Sequence, residues 1–297
     1  MRIMRSGQTS FAVEPWRRLV VGLVMLASLA TVPTGAAWAG VGDLLVSPVR
    51  VVLEGRERSA QVTLVNKGTE TSIYRVSIVN RRMLQNGAFE VIEEPGPDEK
   101  FAGDLVRYAP RRITLEPDAP QTIRILLRKP SDLPAGEYRS HLLFRAVPQA
   151  IGGQSLENEE TSGQGFSIKL TPIFGLTIPI IVRHGELWVD IAVTEPLLEV
   201  PADDDEPPVL QVRLVRRGER SVYGNLNVSF VDGTFGDELI GEVRGVAVYT
   251  PNDERFVRIP IKPEYASELE GRRIKVAFEE VGRPGNGAVA ELSFSFK

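Results

Sequence analysis

The chain has 297 residues, of which 42% are hydrophobic and 25% are charged, and its formal net charge is −4. This composition is typical of globular proteins, and the length suits two domains of about 150 residues each. No cysteine is present, which excludes disulfide scaffolds and thiolate metal sites. The folded chain must therefore be stabilised by its hydrophobic core.

The first 39 residues have the pattern of a cleaved secretory signal peptide. Arg17 and Arg18 precede the apolar run LVVGLVMLASLATV, and the residues AWA at 37–39 form a small-residue cleavage site. A permanent membrane anchor is the alternative, but the run is short for a span of about 20 residues. Without residues 1–39 the chain has 31 basic and 38 acidic residues, a net charge of −7. Such a charge argues against a general nucleic-acid binder.

From Gly40 onward the chain is a series of short segments that alternate between polar and apolar residues. Each segment ends at Gly, Asn, Asp or Pro, as antiparallel strands with one buried face do. Several short strands at this spacing, with no confident helix, predict an all-β fold built of β-sandwiches. The segments in the first half are LLVSPVRVVLEG, SAQVTLVNKG, SIYRVSIVNRRM, RRITLEPDAPQTIRILLRKP and GEYRSHLLFRAVP.

A polar, acidic stretch from Ile151 to Gly165 predicts a mobile loop. It leads into the long apolar segment FSIKLTPIFGLTIPIIVRHG, Phe166–Gly185. Pro172 and Pro179 favour an edge strand here, because proline cannot donate to a strand ladder. An ordinary buried sandwich strand is the alternative. In a regular strand the apolar residues at even positions share one face, and they are Ile168, Leu170, Phe174, Leu176, Ile178 and Ile180.

A second domain is predicted to begin near RHGELWVDIAV, which gives a signal peptide over 1–39 and domains over 40–183 and 184–297. A small helix is a weaker prediction near KPEYASELEG. The acidic segment Ala202–Pro208 is expected to be a solvated loop, and cation binding through its oxygens is the less favoured alternative. The strands of this half are VLQVRLVRRG, GNLNVSFVDG, GEVRGVAVYTP, ERFVRIPIKP, RRIKVAFEEVG and AVAELSFSFK.

Catalytic patterns are scarce in this sequence. His141 and His184 are the only histidines, too few for a transition-metal site, which usually has three or four protein ligands. The sequence contains no G-x-S-x-G elbow, P-loop or dinucleotide fingerprint. We therefore predict a protein without enzymatic activity, metal or cofactor. A sugar-active enzyme with a pair of carboxylates is the less favoured alternative.

Residues 43–185 resemble the periplasmic pilus-assembly chaperones of the chaperone–usher pathway. The resemblance begins at VSPVRVVLEGRERSAQVTLVNKG, Val46–Gly68, and continues through YAPRRITLEPDAPQTIRILLRKPSDLPAGEYRSHLLFRAVP, Tyr108–Pro148. It ends with the apolar segment and VRHG. The second half is similar to this family only in its β-rich pattern, length and position.

The resemblance implies two immunoglobulin-like β-sandwiches in a boomerang arrangement with a cleft between them. Such chaperones donate a strand to pilus subunits that lack their last strand, a form of β-augmentation. Residues 166–183 would be the donor strand. The implied partners are a fimbrial subunit and an outer-membrane usher, with the chain a periplasmic monomer when it is bound to the subunit. The alternative is a secreted two-domain structural or adhesive surface protein.

The resemblance further implies that Arg50 binds the C-terminal carboxylate of the subunit. Arginine suits this role because its planar fork grips a carboxylate through two parallel hydrogen bonds. The family's second cation, a lysine, would fall at Pro179, with Thr177 on the same face, and neither residue is charged. Lys169 lies ten residues before Pro179, about 33 Å along an extended strand. Arg50 acting alone, help from another basic residue, and a different anchor all remain open.

Glu137 and Arg183 match a pair that contributes to a salt bridge between the two domains in this family. Such a pair would help to fix the angle of the cleft. If both side chains were exposed, it would contribute only about 0–1 kcal/mol to stability.

Overall fold

The computed structural model describes residues 44–148, 173–201, 206–231, 237–282 and 289–296. All of them belong to one compact unit, Gly40–Lys297. The predicted signal peptide, the predicted loop over 151–165, Ile168, Leu170 and residues 202–205 lie outside the described residues. Among the residues that are described, no helix is both long and apolar enough to cross a membrane.

The first half of the described chain forms a sandwich of two sheets. One sheet has the order β1-β3-β8-β6, and the other has the order β2-β10-β9-β4-β5, with β7 also paired to β4. The strands are β1 (Leu44–Ser47), β2 (Val51–Leu53), β3 (Ser59–Asn66), β4 (Ser72–Met83), β5 (Phe89–Ile92), β6 (Val106–Ala109), β7 (Arg112–Leu115), β8 (Pro120–Leu127), β9 (Gly136–Val147) and β10 (Gly175–His184).

Alternation along the strands builds the core of this sandwich. In β3 the side chains of Val62 and Leu64 are fully buried, while Thr63 between them is only partly buried. They belong to the same apolar cluster as Phe144 of β9 and Ile180 of β10. Full burial of one such side chain stabilises the fold by roughly 1.5–3 kcal/mol, so this core holds both sheets together without a disulfide.

The second half forms another sandwich with its own apolar cluster. Its sheets have the orders β11-β12-β15 and β14-β13-β16-β17. The strands are β11 (Val189–Glu199), β12 (Val209–Gly218), β13 (Val222–Phe230), β14 (Glu238–Val248), β15 (Glu254–Pro260), β16 (Arg273–Glu280) and β17 (Ala290–Ser295).

These sheets confirm the predicted all-β fold of two β-sandwiches. The only helical turns in the described chain are short 3-10 turns at Gly103–Leu105 and Pro263–Glu268. The second turn lies within the segment for which a small helix was predicted. Gly185–Trp188 connects the two sandwiches, and the exact division into domains at residue 183 stays a prediction.

A small apolar cluster joins the two sandwiches. Met83 of β4 and Ile181 of β10 pack with Ala247 of β14 and with Tyr249, and all four are buried. Hydrogen bonds surround this cluster, and one runs from the Asn252 side-chain amide to the Met83 carbonyl oxygen at 2.7 Å. The two sandwiches therefore share a buried apolar contact next to the C-terminal part of β10.

Candidate partner-binding site

Arg50 lies immediately before β2, next to β10. Val51 pairs in parallel with Ile180, which brings Arg50 beside Pro179. Its guanidinium carbon lies 4.7 Å from the ring centroid of Tyr223 and 5.8 Å from that of Tyr249. Both are cation–π distances. The strands of the first sandwich thus hold Arg50 against aromatic rings of the second.

Arg50 forms no salt bridge with a carboxylate among the described residues, although Glu137 is near enough to raise its pKa. Its Nε is buried without a hydrogen-bond partner, and no ion pair within the described chain includes it. Burial lowers the pKa of Arg50, an effect that Tyr249 partly offsets. Arginine nevertheless stays protonated in proteins. The described site therefore has a partly buried positive charge that is free to accept an anion.

Arg50 lines a cavity of about 800 Å³ that both sandwiches enclose. Its wall includes Lys129 and Arg183 from the first sandwich and Arg220 from the second. Binding pockets commonly have volumes of about 300–1,000 Å³. The cavity therefore has the size for the end of a peptide and a wall rich in cations.

Glu137 and Arg183 form an ion pair at the junction of the sandwiches, with Arg183 Nε 3.0 Å from Glu137 Oε2. The same Glu137 oxygen accepts a hydrogen bond from the Ser221 backbone N–H at 3.0 Å. Burial alone would lower the pKa of Arg183, but Glu137 and Glu54 outweigh it and raise that pKa. The Glu137 side chain is fully buried, so the small contribution expected of an exposed pair does not apply.

Pro179 and Thr177, at the positions of the expected lysine, bring no charge to Arg50. They line a separate, smaller cavity of about 190 Å³ together with His141 and Arg255. Thr177 Oγ1 accepts a hydrogen bond from Arg81 Nη1 at 3.4 Å. Positions 177 and 179 of β10 therefore supply no second cation for an anion at Arg50.

The predicted apolar face of β10 is divided between surface and core. Phe174 is 51% exposed and Leu176 is 40% exposed. Ile178 and Ile180 are buried in the core of the first sandwich, which corrects their assignment to a face offered to a partner. The opposite sheet covers the face only from Ile178 onward, so the same strand passes from open surface into the core.

The N-terminal part of β10 also has an open edge. Residues 175–184 pair with β9, whereas β2 pairs only with residues 180–182. Among the described residues, no strand covers the other edge of 175–179. Ile173 just before the strand is 48% exposed. An open edge beside exposed apolar side chains is the surface to which an extended chain adds as a further strand.

Neither histidine belongs to a group of three or more side chains in the described chain that could hold a metal ion. His141 is buried and packs edge-on against Phe89, with ring centroids 5.4 Å apart. Burial, with Arg139 and Arg81 nearby, lowers the pKa of His141 to about 3. It is therefore neutral at physiological pH. His184 is half-buried in the wall of the large cavity.

The sequence analysis did not find three residues that shape this site. Tyr223 and Tyr249 come from the half of the chain with little family likeness, and no local pattern distinguishes them from core aromatic residues. Lys129 stands at the end of β8 in ILLRKP. Lys129 follows the last buried residue of the strand, and this position could have predicted a side chain at the end of the sandwich.

The chain is similar to solved structures with which it shares little sequence identity. The Pseudomonas aeruginosa CupB2 chaperone is 12% identical, with a TM-score of 0.44 over 85% of this chain and 100% of its own. The YadV chaperone is 14% identical, with a TM-score of 0.42 over 85% and 100%. A complex of the Salmonella enterica SafA pilin with the SafB chaperone matches at 14% identity, with a TM-score of 0.39 over 86% and 97%.

These three solved structures are of chaperones, and in one of them the chaperone is bound to a pilin. No protein-family model matches the chain, and no curated protein matches it.

Proposed function

We propose that the protein is a periplasmic chaperone that binds incomplete immunoglobulin-like pilus subunits by strand addition and delivers them to an outer-membrane usher. The observation that carries the proposal is the open edge of β10 at residues 175–179, next to the exposed side chains of Phe174 and Leu176. An exposed apolar edge favours aggregation unless a partner covers it. A subunit that lacks one strand would satisfy both the backbone edge and the apolar side chains.

Arg50 supplies the second element of this proposal. It lies beside Pro179, at the point where β2 begins to cover the edge of β10. A partner strand that runs along residues 175–179 would end in the cavity at Arg50. A carboxylate at the end of that strand would fill the unused hydrogen-bonding capacity of the guanidinium and neutralise its charge. Arg50 would thus fix the register of the added strand.

Co-expression with a fimbrial subunit tests this function. The probe is a subunit encoded by a gene next to that of this chain, with its natural C-terminal carboxylate. We expect the wild-type chain to form a one-to-one complex on size-exclusion chromatography. Arg50→Ala should lose the complex while its circular dichroism and thermal midpoint stay close to wild type. Arg124→Ala removes an exposed arginine elsewhere on the first sandwich and should bind normally.

The outcomes separate the two elements of the proposal. Retained binding by Arg50→Ala would remove the carboxylate anchor and leave strand addition to be judged by the β10 variants. Failure of the wild-type chain to bind any neighbouring subunit would contradict the chaperone function itself.

A further inference from the structure

The large cavity holds more positive charge than its acidic side chains neutralise. Arg183 pairs with Glu137 and with Glu54, at 3.0 Å in each case. Arg220 pairs with Glu280. Both of these arginines therefore have carboxylate partners. They are fixed parts of the wall rather than free sites for an incoming anion.

Two cations in the same wall have no carboxylate partner in the described chain. One is Arg50, and the other is Lys129, which follows β8. Lys129 Nζ donates a hydrogen bond to the Arg183 carbonyl oxygen at 2.7 Å. An ammonium group has three N–H donors, so this bond positions Lys129 and leaves it donors for a ligand.

The surroundings of Lys129 disfavour its positive charge. The residue is half-buried, and burial together with the nearby Arg58 lowers its pKa. Placing a charge in such a position without a counter-charge costs stability. A bound carboxylate would compensate this cost for Lys129 and Arg50 at the same time.

We propose that Lys129 is the second cation of the carboxylate site, and that a peptide terminus in the cavity binds Lys129 and Arg50 together. This inference rests on the proposed function and assigns the missing charge to the end of β8 instead of β10. Lys129 Nζ is bonded to the C-terminal part of β10 through Arg183, and Arg50 lies beside Pro179 of the same strand. The two cations therefore lie along the same strand, in the wall of one cavity.

A labelled peptide tests the proposal without a natural subunit. The probe is an eight-residue peptide of alternating valine and threonine with an N-terminal fluorescein, prepared with a free C-terminal carboxylate and with a C-terminal amide. Fluorescence polarisation gives the affinity of each form for the full chain. We expect the wild-type chain to bind the carboxylate form at least about tenfold more tightly, as for one charge-assisted hydrogen-bond pair.

Substitutions in the chain show which residues cause the preference for the carboxylate form. Lys129→Met should lose most of the tenfold preference and leave binding of the amide form unchanged, and Lys129→Arg should restore it. Arg128→Met removes the neighbouring exposed arginine and should keep the full preference. Thermal midpoints show that each variant is folded.

The possible results distinguish this inference from the proposed function. If the wild-type chain shows no preference for the carboxylate form, or binds neither form, the carboxylate anchor itself is wrong. If Arg50→Ala removes the preference but Lys129→Met keeps it, only the role of Lys129 is overturned. If Arg128→Met loses as much preference as Lys129→Met, the effect is one of general charge, and the specific site is rejected.

Discussion

His141 is a buried base, and both its burial and the positive charges of Arg139 and Arg81 oppose its protonation. Its pKa is about 3 in the folded chain, against 6.5 for an unperturbed histidine. The unfolded chain therefore binds a proton between these values and the folded chain does not. This histidine thus supports stability at neutral pH, and its contribution is lost as the pH falls from about 6.5 toward about 3.

A pH series with His141→Gln checks this contribution. Between about pH 7 and about pH 5, titration of His141 should remove about 2 kcal/mol from the free energy of unfolding of the wild-type chain. The glutamine variant has no proton to bind and should lose about 2 kcal/mol less. Urea denaturation at both pH values gives the difference, in which carboxylates common to both chains cancel. Parallel losses would show that His141 titrates equally when folded and unfolded.

Strand β10 combines two environments. Leu176 lies on the surface and Ile178, two residues later, lies in the core. Leu176→Asp should weaken the complex with a pilus subunit by at least about tenfold, because it places a charge on the apolar edge, and should change stability by less than about 1 kcal/mol. Ile178→Asp should unfold the first sandwich, because it buries an unpaired charge.

Leu126→Asp is the matched control for Leu176→Asp. Leu126 is exposed on β8, outside β10, so its substitution should leave both binding and stability unchanged. Subunit binding is measured by size-exclusion chromatography and stability by thermal denaturation. A collapse of the thermal midpoint in Leu176→Asp would show that this side chain belongs to the core and that no apolar edge is available.

Residue alternation is enough to predict the strands, because a half-buried strand needs one apolar face. The same rule assigned Leu176 and Ile178 to one exposed face. It failed at Ile178, because burial depends on whether the opposite sheet covers that point of the strand. The role of Arg50 was predicted from the resemblance to pilus-assembly chaperones. Its contacts with Tyr223 and Tyr249 were not, because they depend on how a second sandwich of unrelated sequence packs against the first.

Glu137 connects the two sandwiches through several bonds. It pairs with Arg183 in its own sandwich and accepts a hydrogen bond from Ser221 of the other. Thr250 Oγ1 lies 3.4 Å from its second carboxylate oxygen. Because one fully buried carboxylate serves both halves, its loss should weaken the contact between them as well as the ion pair.

Glu137→Ala tests this coupling against Glu54→Ala. Removing a partner from a buried ion pair costs about 3–5 kcal/mol, so Glu137→Ala should lower the free energy of unfolding by about that amount. Loss of its bonds to the second sandwich should also divide one unfolding transition into two. Glu54 pairs with the same arginine, but its side chain is 57% exposed. Glu54→Ala should therefore cost about 1 kcal/mol or less and keep one transition.

Calorimetry with urea denaturation measures both the free energy and the number of transitions. Equal effects of the two substitutions would mean that Arg183 simply exchanges one carboxylate for the other, and that Glu137 has no special role at the junction. A large loss in Glu137→Ala with a single remaining transition would place its contribution within the first sandwich. Two separated transitions in Glu137→Ala alone would show that this carboxylate makes the sandwiches unfold together, and so holds Arg50 against Tyr223 and Tyr249.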